Sequence, residues 1–245
     1  MQKILKVCLF SLIPTILLWV PFAFRIPKFW NIPLPTNGMA TIVSNYDGPL
    51  YLVAAKTLYN KNDIKINYQF PLSTEYYTAH FPLFPLMIRP LGTFTNYPYA
   101  MLLSTIISSI LAIYFFEKFI SRFVGAKEAL FLTFVFSIFP TRWLIVRSVG
   151  SADPLFIASI IASLYFFKSK KYLLAGIWGA VAQITKSPAI LLFGSYLIYL
   201  LLPQFKHKFS EIRKAWPILF IPLALLGVFT FYAIASRLNQ EKSYA

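Results

Sequence analysis

The stretch Asn45-Tyr46-Asp47-Gly48-Pro49-Leu50-Tyr51-Leu52 places an acid, a glycine and a proline together in a chain that is otherwise mostly apolar. Two readings fit it. Asp47 is an acidic cap on a helix whose first residues are Gly48 and Pro49, or it is a carboxylate held at a turn to take a proton. More ionisable residues follow: Glu75, Tyr76, Tyr77, His80 and Arg89, then Arg142, Arg147, Asp153 and Lys186. A carboxylate set among cations suits a substrate that carries both a phosphate and an attacking hydroxyl. The cations would hold the phosphate, and Asp47 would accept the hydroxyl proton. Each residue also has a plainer role. Arg142 and Arg147 could snorkel or pair with Asp153, Lys186 before Pro188 could mark the end of a helical hairpin, and His80 could be a polar residue at an interface.

The chain that must position these groups has 245 residues, 58% of them hydrophobic and 13% charged, with a mean hydropathy of +0.65. Soluble domains carry about 25% charged residues, so the composition is that of a polytopic membrane protein. The net charge of +15 sits in short basic clusters between apolar runs. Such clusters set membrane orientation, and nucleic-acid binding is set aside on that distribution. Cys8 is the single cysteine and lies in the first apolar run, which excludes an intrachain disulfide. His80 and His207 are far apart, and no metal-ligand cluster is visible. A lone acid gives a divalent cation only weak support, so no cofactor is expected and a divalent cation is left as the open alternative.

Residues 4–24 are long enough to cross a bilayer. Lys3 and Lys6 in front of them also fit a signal peptide, but Val20-Pro21-Phe22-Ala23 is a poor cleavage site, so the segment reads as an uncleaved anchor. An insert of residues 25–98 follows. Leu50, Val53, Ala54 and Leu58 recur at helical spacing, which predicts a short helix at the interface with Lys56 and Lys61 on its other side. The proline-broken run Phe81–Ile88 is too short to span and should dock against protein. Further spans are predicted at 99–117, 128–146, 153–167, 172–186, 188–204 and 215–236. With the N-terminus cytoplasmic, one side holds Lys3 and Lys6, then Lys118, Arg122 and Lys127, then Lys168, Lys170 and Lys171, then Lys206, Lys208, Arg213 and Lys214. The other side holds Arg142, Arg147 and Lys186, with Arg237 and Lys242 after the last span. The expectation is a single all-α transmembrane domain over 1–245, with about seven spans and the 25–98 loop outside the cytoplasm.

Three of the predicted spans are short. The uncharged runs 129–141, 154–167 and 172–185 give roughly 20 Å of helix against a ~30 Å hydrocarbon core. Lysines and arginines fix their cytoplasmic ends, so the shortfall falls on the outer side, beside Arg142, Arg147, Asp153 and Lys186. Ionisable groups at that depth need a wet cavity or one another. A polar cavity beneath Asp47 is expected. Most of the Phe and Tyr residues read as lipid-facing or interfacial belt, with sugar stacking open to a few.

The segment around Asp47 resembles the W/Y-D-x-x-x-[YF]-L motif of the GPI mannosyltransferase 2 (PIG-V-like) family and its bacterial relatives, within the GT-C superfamily. Glu75 with His80-Phe81-Pro82-Leu83-Phe84-Pro85-Leu86 is similar to that family's acid followed by an aromatic and proline run. Ser148-Val149-Gly150-Ser151-Ala152-Asp153-Pro154-Leu155-Phe156 resembles a third block, with Asp153 where Glu is usual. Gln183-Ile184-Thr185-Lys186-Ser187-Pro188-Ala189 resembles a fourth, with Lys186 for Arg and Ala189 for Gly. The blocks keep their order over residues 45–190. The resemblance implies a GT-C-like membrane fold and an inverting sugar transfer from a polyprenyl-phosphate donor to a lipid or glycan acceptor. Asp47 would be catalytic, with Glu75, His80, Asp153 and Lys186 of the matched blocks around the substrate, and Arg142 and Arg147 join them from the short-span reading above. It also implies a bacterial or archaeal plasma membrane, or the endoplasmic reticulum membrane in a eukaryote. Members of that family usually continue for further spans, so on this resemblance the chain reads as truncated or minimal. A transporter or flippase of a lipid-linked or anionic substrate, and a non-catalytic membrane protein, are the alternatives.

Overall fold

A computed structural model describes residues 2–68, 73–202 and 209–241. Lys206, His207, Lys208 and Lys242, which entered the charge and metal arguments above, lie outside the described residues. So do the terminal residues 243–245.

The chain is helical. α1 (Gln2–Ala23) is followed by a hairpin of two-residue strands, β1 (Lys28–Phe29) and β2 (Ile32–Pro33). Its turn residues Trp30 and Asn31 both have positive φ, as a two-residue hairpin turn requires. The insert then forms α2 (Met39–Val43), α3 (Gly48–Thr57), α4 (Lys61–Asn67), a 3₁₀ segment (Thr74–Ala79) and α5 (Leu83–Phe94). The expected helix around Leu50–Leu58 is α3, and Leu58 closes it in the left-handed conformation. Its apolar residues Leu50, Tyr51, Val53, Ala54 and Ala55 are buried within the protein itself. The proline-broken run becomes α5, which packs on α3 and on α6 (Tyr97–Ile120).

The 128–146 run is not one helix. α7 (Ala126–Ile138) stops before Phe139-Pro140, and a separate short helix, α8 (Thr141–Val146), starts after it. Pro140 lacks the amide that a continuing helix needs, and its ring disfavours helical backbone at Phe139. α9 (Asp153–Lys168), α10 (Tyr172–Thr185), α11 (Ile190–Leu201), α12 (Phe209–Lys214), a 3₁₀ turn (Trp216–Leu219) and α13 (Phe220–Glu241) complete the order. Among the described residues, three helical segments are long and apolar enough to cross a membrane: Leu5–Ala23, Tyr97–Ile120 and Trp216–Ala235. The remaining apolar helices are shorter, and at 1.5 Å per residue α7, α9 and α10 measure about 20–24 Å.

α6, α9, α10 and α13 form the central stack. Its seams are made of small residues: Ser104, Thr105, Ser108, Ser109 and Ala112 on α6, Ala158, Ser159, Ala162 and Ser163 on α9, and Ala175, Gly176, Gly179 and Ala182 on α10. Most of the buried hydroxyls on α6 and α9 donate to a carbonyl one turn back in their own helix, so they cross the seam without an unmet hydrogen bond. Small residues let helix backbones approach closely, which is how helices associate where lipid removes the hydrophobic drive. Gly176 shows how close. A β-carbon there would lie 2.0 Å from the carbonyl oxygen of Pro217. Large apolar side chains such as Leu17, Leu191, Leu226 and Phe229 face outward and are exposed. Small polar residues inside and large apolar ones outside is an arrangement that lipid solvates well.

α1 lies at the edge and packs on α6 and α7. Arg147, with none of its surface exposed, ties it in by donating to the Ser11 carbonyl (2.9 Å), the Ser11 hydroxyl (3.3 Å) and the Phe10 carbonyl (3.4 Å). The Trp19 indole N–H donates back to the Ser148 carbonyl at 2.6 Å.

Candidate active site

Two glycines bring Asp47 to the rest of the site. A β-carbon on Gly48 would sit 2.5 Å from the Val43 carbonyl oxygen, and one on Gly150 would sit 2.2 Å from the fully buried Met101 side chain. The Val43 carbonyl is backbone and cannot swing aside, so the turn before α3 requires a hydrogen at position 48, while Gly150 leaves room for the Met101 side chain between α6 and the loop before α9. Asp47 occupies the N-cap position of α3, with Pro49 in the first turn, yet its carboxylate makes no capping hydrogen bond. The side chain is 56% exposed and turns toward a cavity instead. The acidic-cap reading holds for the backbone position and fails for the carboxylate.

The cavity, about 240 Å³, is lined by Asp47, Tyr51, Tyr76, His80, Lys186 and Ser187, with Ala79 and Pro188 completing the wall. His80 follows the 3₁₀ segment. Its carbonyl accepts hydrogen bonds from the hydroxyls of Tyr59 (2.7 Å) and Tyr232 on α13 (3.3 Å), so first-loop and last-helix residues fix its backbone together. Tyr51 and Tyr76 meet its ring edge-on at 5.0 and 5.5 Å. Nε2 lies 3.8 Å from Asp47 Oδ2, beyond hydrogen-bond reach, and Nδ1 is buried without a partner. Burial lowers the His80 pKa below its ordinary value, against the opposing pull of Asp47, and favours the neutral ring. Burial, followed by the nearby carboxylates Asp47 and Asp153, pushes the Tyr51 hydroxyl far above the phenol range, which keeps it protonated as a donor.

Lys186 sits in extended backbone just after α10 and forms an ion pair with Asp153, the first residue of α9. Both side chains are about one-third exposed. The Asp153 backbone N–H donates to the Ser151 hydroxyl at 3.1 Å. Asp153 therefore pairs with Lys186 and not with either arginine.

The structure gathers four of the seven sequence-predicted site residues: Asp47, His80 and Lys186 on the cavity wall, and Asp153 directly behind Lys186. Glu75 is elsewhere. It is fully exposed and accepts a hydrogen bond from Lys61 at 2.9 Å, and this contact holds its carboxyl down to about 2. Arg142 is exposed on α8 and does not line the cavity. Arg147 is engaged with the backbone of α1, so its guanidinium serves helix packing and does not face the cavity. Arg89, also in the insert, donates to the carbonyls of Ala55 and Lys56 and so satisfies the end of α3. Among the described residues no three His, Cys, Asp or Glu side chains gather as a metal site. Tyr51 lines the cavity and was missed, although its place four positions after Asp47 on one helix face was a signal for it. Ser187 and the two hydroxyls behind His80 had no such signal.

A solvent-accessible carboxylate, a neutral imidazole, a phenol donor and a shared ammonium group around one cavity can hold a hydroxyl-rich ligand and take a proton from it. Fold and cavity together define a helical protein with membrane-type packing and a polar pocket at one end of its bundle. Compared with protein-family models, curated proteins and solved structures, the chain matches none.

Proposed function

We propose that the chain is a membrane glycosyltransferase that moves a sugar, mannose by resemblance, from a polyprenyl-phosphate donor to a hydroxyl on an extracytoplasmic lipid or glycan acceptor. The observation that carries this reading is the Asp47 carboxylate, uncommitted to capping and turned into the cavity beside His80 and Lys186. Asp47 accepts the proton of the acceptor hydroxyl as its oxygen bonds to the anomeric carbon. The bond from that carbon to the phosphate oxygen breaks on the opposite face, the lipid phosphate leaves, and the configuration inverts. Lys186, shared with Asp153, faces the departing phosphate. Of the three cations read from the sequence, it alone lines the cavity. Neutral His80 and Tyr51 position sugar hydroxyls.

This reading takes the bundle as about seven spans with the N-terminus cytoplasmic. The short helices α7, α9 and α10 then leave the loops at 147–152 and 186–189 below the outer membrane surface, under the insert. The basic clusters at Lys118 and Arg122, at the end of α6, and at Lys168, Lys170 and Lys171, between α9 and α10, lie away from Asp47 at the other end of these helices, which supports that orientation. The test is transfer of radiolabelled sugar from polyprenyl-phosphate mannose in reconstituted vesicles. Asp47→Asn should lower transfer about 10²–10⁴-fold, the contribution usual for a positioned general base, with insertion and thermal stability unchanged. Full transfer by Asp47→Asn would overturn the assignment.

A further inference from the structure

A second cavity, about 360 Å³, lies at the opposite end of α9 from Asp153, about 24 Å along a 16-residue helix. The ends of α6, α9 and α11 and the start of α10 meet there. Its body is aromatic: Phe119 from α6, Phe167 from α9, and Tyr196 and Tyr199 from α11. Phe167 stacks on Tyr196 with ring centroids 4.0 Å apart and meets Tyr199 edge-on at 5.8 Å. The Tyr196 hydroxyl is within hydrogen-bond distance of the Ser163 hydroxyl at 2.7 Å, so the floor asks no hydrogen bond of a ligand. Lys168 and Lys170 stand at the mouth, both exposed, and none of the lining residues is acidic. Lys118, Arg122 and Lys171 lie at the same helix ends.

The chamber is thus apolar at depth and cationic at its rim, with the rim where apolar helices end. That polarity matches an amphiphile whose hydrocarbon enters first and whose anionic head stays at the surface. We propose that this cavity is a binding site for an anionic membrane phospholipid. One acyl chain lies against Phe119, Phe167 and Tyr196, and the headgroup phosphate is held by Lys168 and Lys170. Cationic side chains near the membrane surface attract anionic lipid by about 1 kcal/mol each. The site is separate from the Asp47 cavity and does not depend on the glycosyltransferase reading.

The test uses the full chain, delipidated in detergent. Native mass spectrometry would count retained lipid, and thermal unfolding would be followed against added phosphatidylglycerol or phosphatidylcholine. Phosphatidylglycerol should bind at least about 10-fold more tightly than phosphatidylcholine, following from two such lysines. Lys168→Gln/Lys170→Gln should bring that ratio close to one while both lipids still bind. Ser195→Phe, which fills the groove from α11 and leaves the lysines in place, should weaken both lipids. Lys118→Gln/Lys127→Gln removes the same charge outside the groove and should keep the preference. Equal binding of the two lipids by the unaltered chain would overturn the proposal. So would an equal loss of preference in the Lys118→Gln/Lys127→Gln protein, or undiminished binding by Ser195→Phe.

Discussion

Removing one partner of the Asp153–Lys186 pair should cost more than removing both. The pair joins the first residue of α9 to the residue just after α10, and each side chain is about one-third exposed. Two unit charges near contact attract by about 4 kcal/mol at an effective dielectric of 20, before desolvation and lost side-chain freedom are subtracted. Fully exposed pairs retain about 0–1 kcal/mol after that subtraction, whereas breaking a fully buried pair costs about 3–5. Burial of about two-thirds places Lys186→Met near 2 kcal/mol, a fall of about 4–8 °C in Tm for a chain of this size. Asp153→Asn loses both the pair and a favourable charge on the helix dipole, so its single effect overstates the contact. The double-mutant cycle removes that confusion. Thermal unfolding of the unaltered protein, both single variants and Asp153→Asn/Lys186→Met, in one detergent, should give a coupling of about 1–2 kcal/mol. Coupling below about 0.3 kcal/mol would refute the reasoning, since the two changes would then be independent.

Other perturbations probe the packing and the cavity separately. Gly176→Ala forces a methyl against the Pro217 carbonyl and should destabilise by about 1–3 kcal/mol in the same melts, with little change in the Asp47 cavity. Burial lowers the His80 pKa, so below about pH 6.5 the unfolded chain binds a proton that the folded chain does not. Stability from this group is therefore full above about pH 6.5 and falls as pH drops toward the folded value. His80→Phe should flatten that part of the Tm profile, and an unaltered slope would assign it to other groups. Arg147→Met removes the donors that hold Phe10 and Ser11, and should raise the maleimide labelling rate of Cys8 on α1 several-fold in detergent. An unchanged rate would mean that Trp19 and apolar contact alone secure the helix.

Periodicity and proline position carried much of the fold. α3 and α5 lie where apolar spacing and the Phe81–Ile88 run placed them, and α6, α9, α10 and α11 follow their apolar runs. The 128–146 run was misread because hydropathy weighs each residue alone, whereas Pro140 acts on the hydrogen bonds of its neighbours. Side-chain destinations were less legible. Arg147 was expected in a wet cavity or beside an acid, but its terminal nitrogens donate to the carbonyls of Ser11 and Phe10, 136 and 137 residues earlier, a pairing no local pattern encodes. Asp153 and Lys186 were both marked by falling at the ends of short apolar runs, yet their mutual choice depends on how α9 lies along α10. Asp47 shows the same limit. Gly48-Pro49 announced a helix start, but that the carboxylate leaves the cap and faces His80 across a cavity depends on contacts 33 residues away in the chain.

The carbonyl of His80 draws one of its two hydroxyl donors from Tyr232, 152 residues later in the chain. At about 5–20 residues per second, synthesis needs roughly 8–30 s to reach Tyr232 after His80 has been made. During that interval the His80 carbonyl has its Tyr59 contact but not the one from α13. The backbone behind this pocket wall is thus secured in two stages, and a chain interrupted before Tyr232 lacks one of the two hydroxyls that hold the His80 carbonyl.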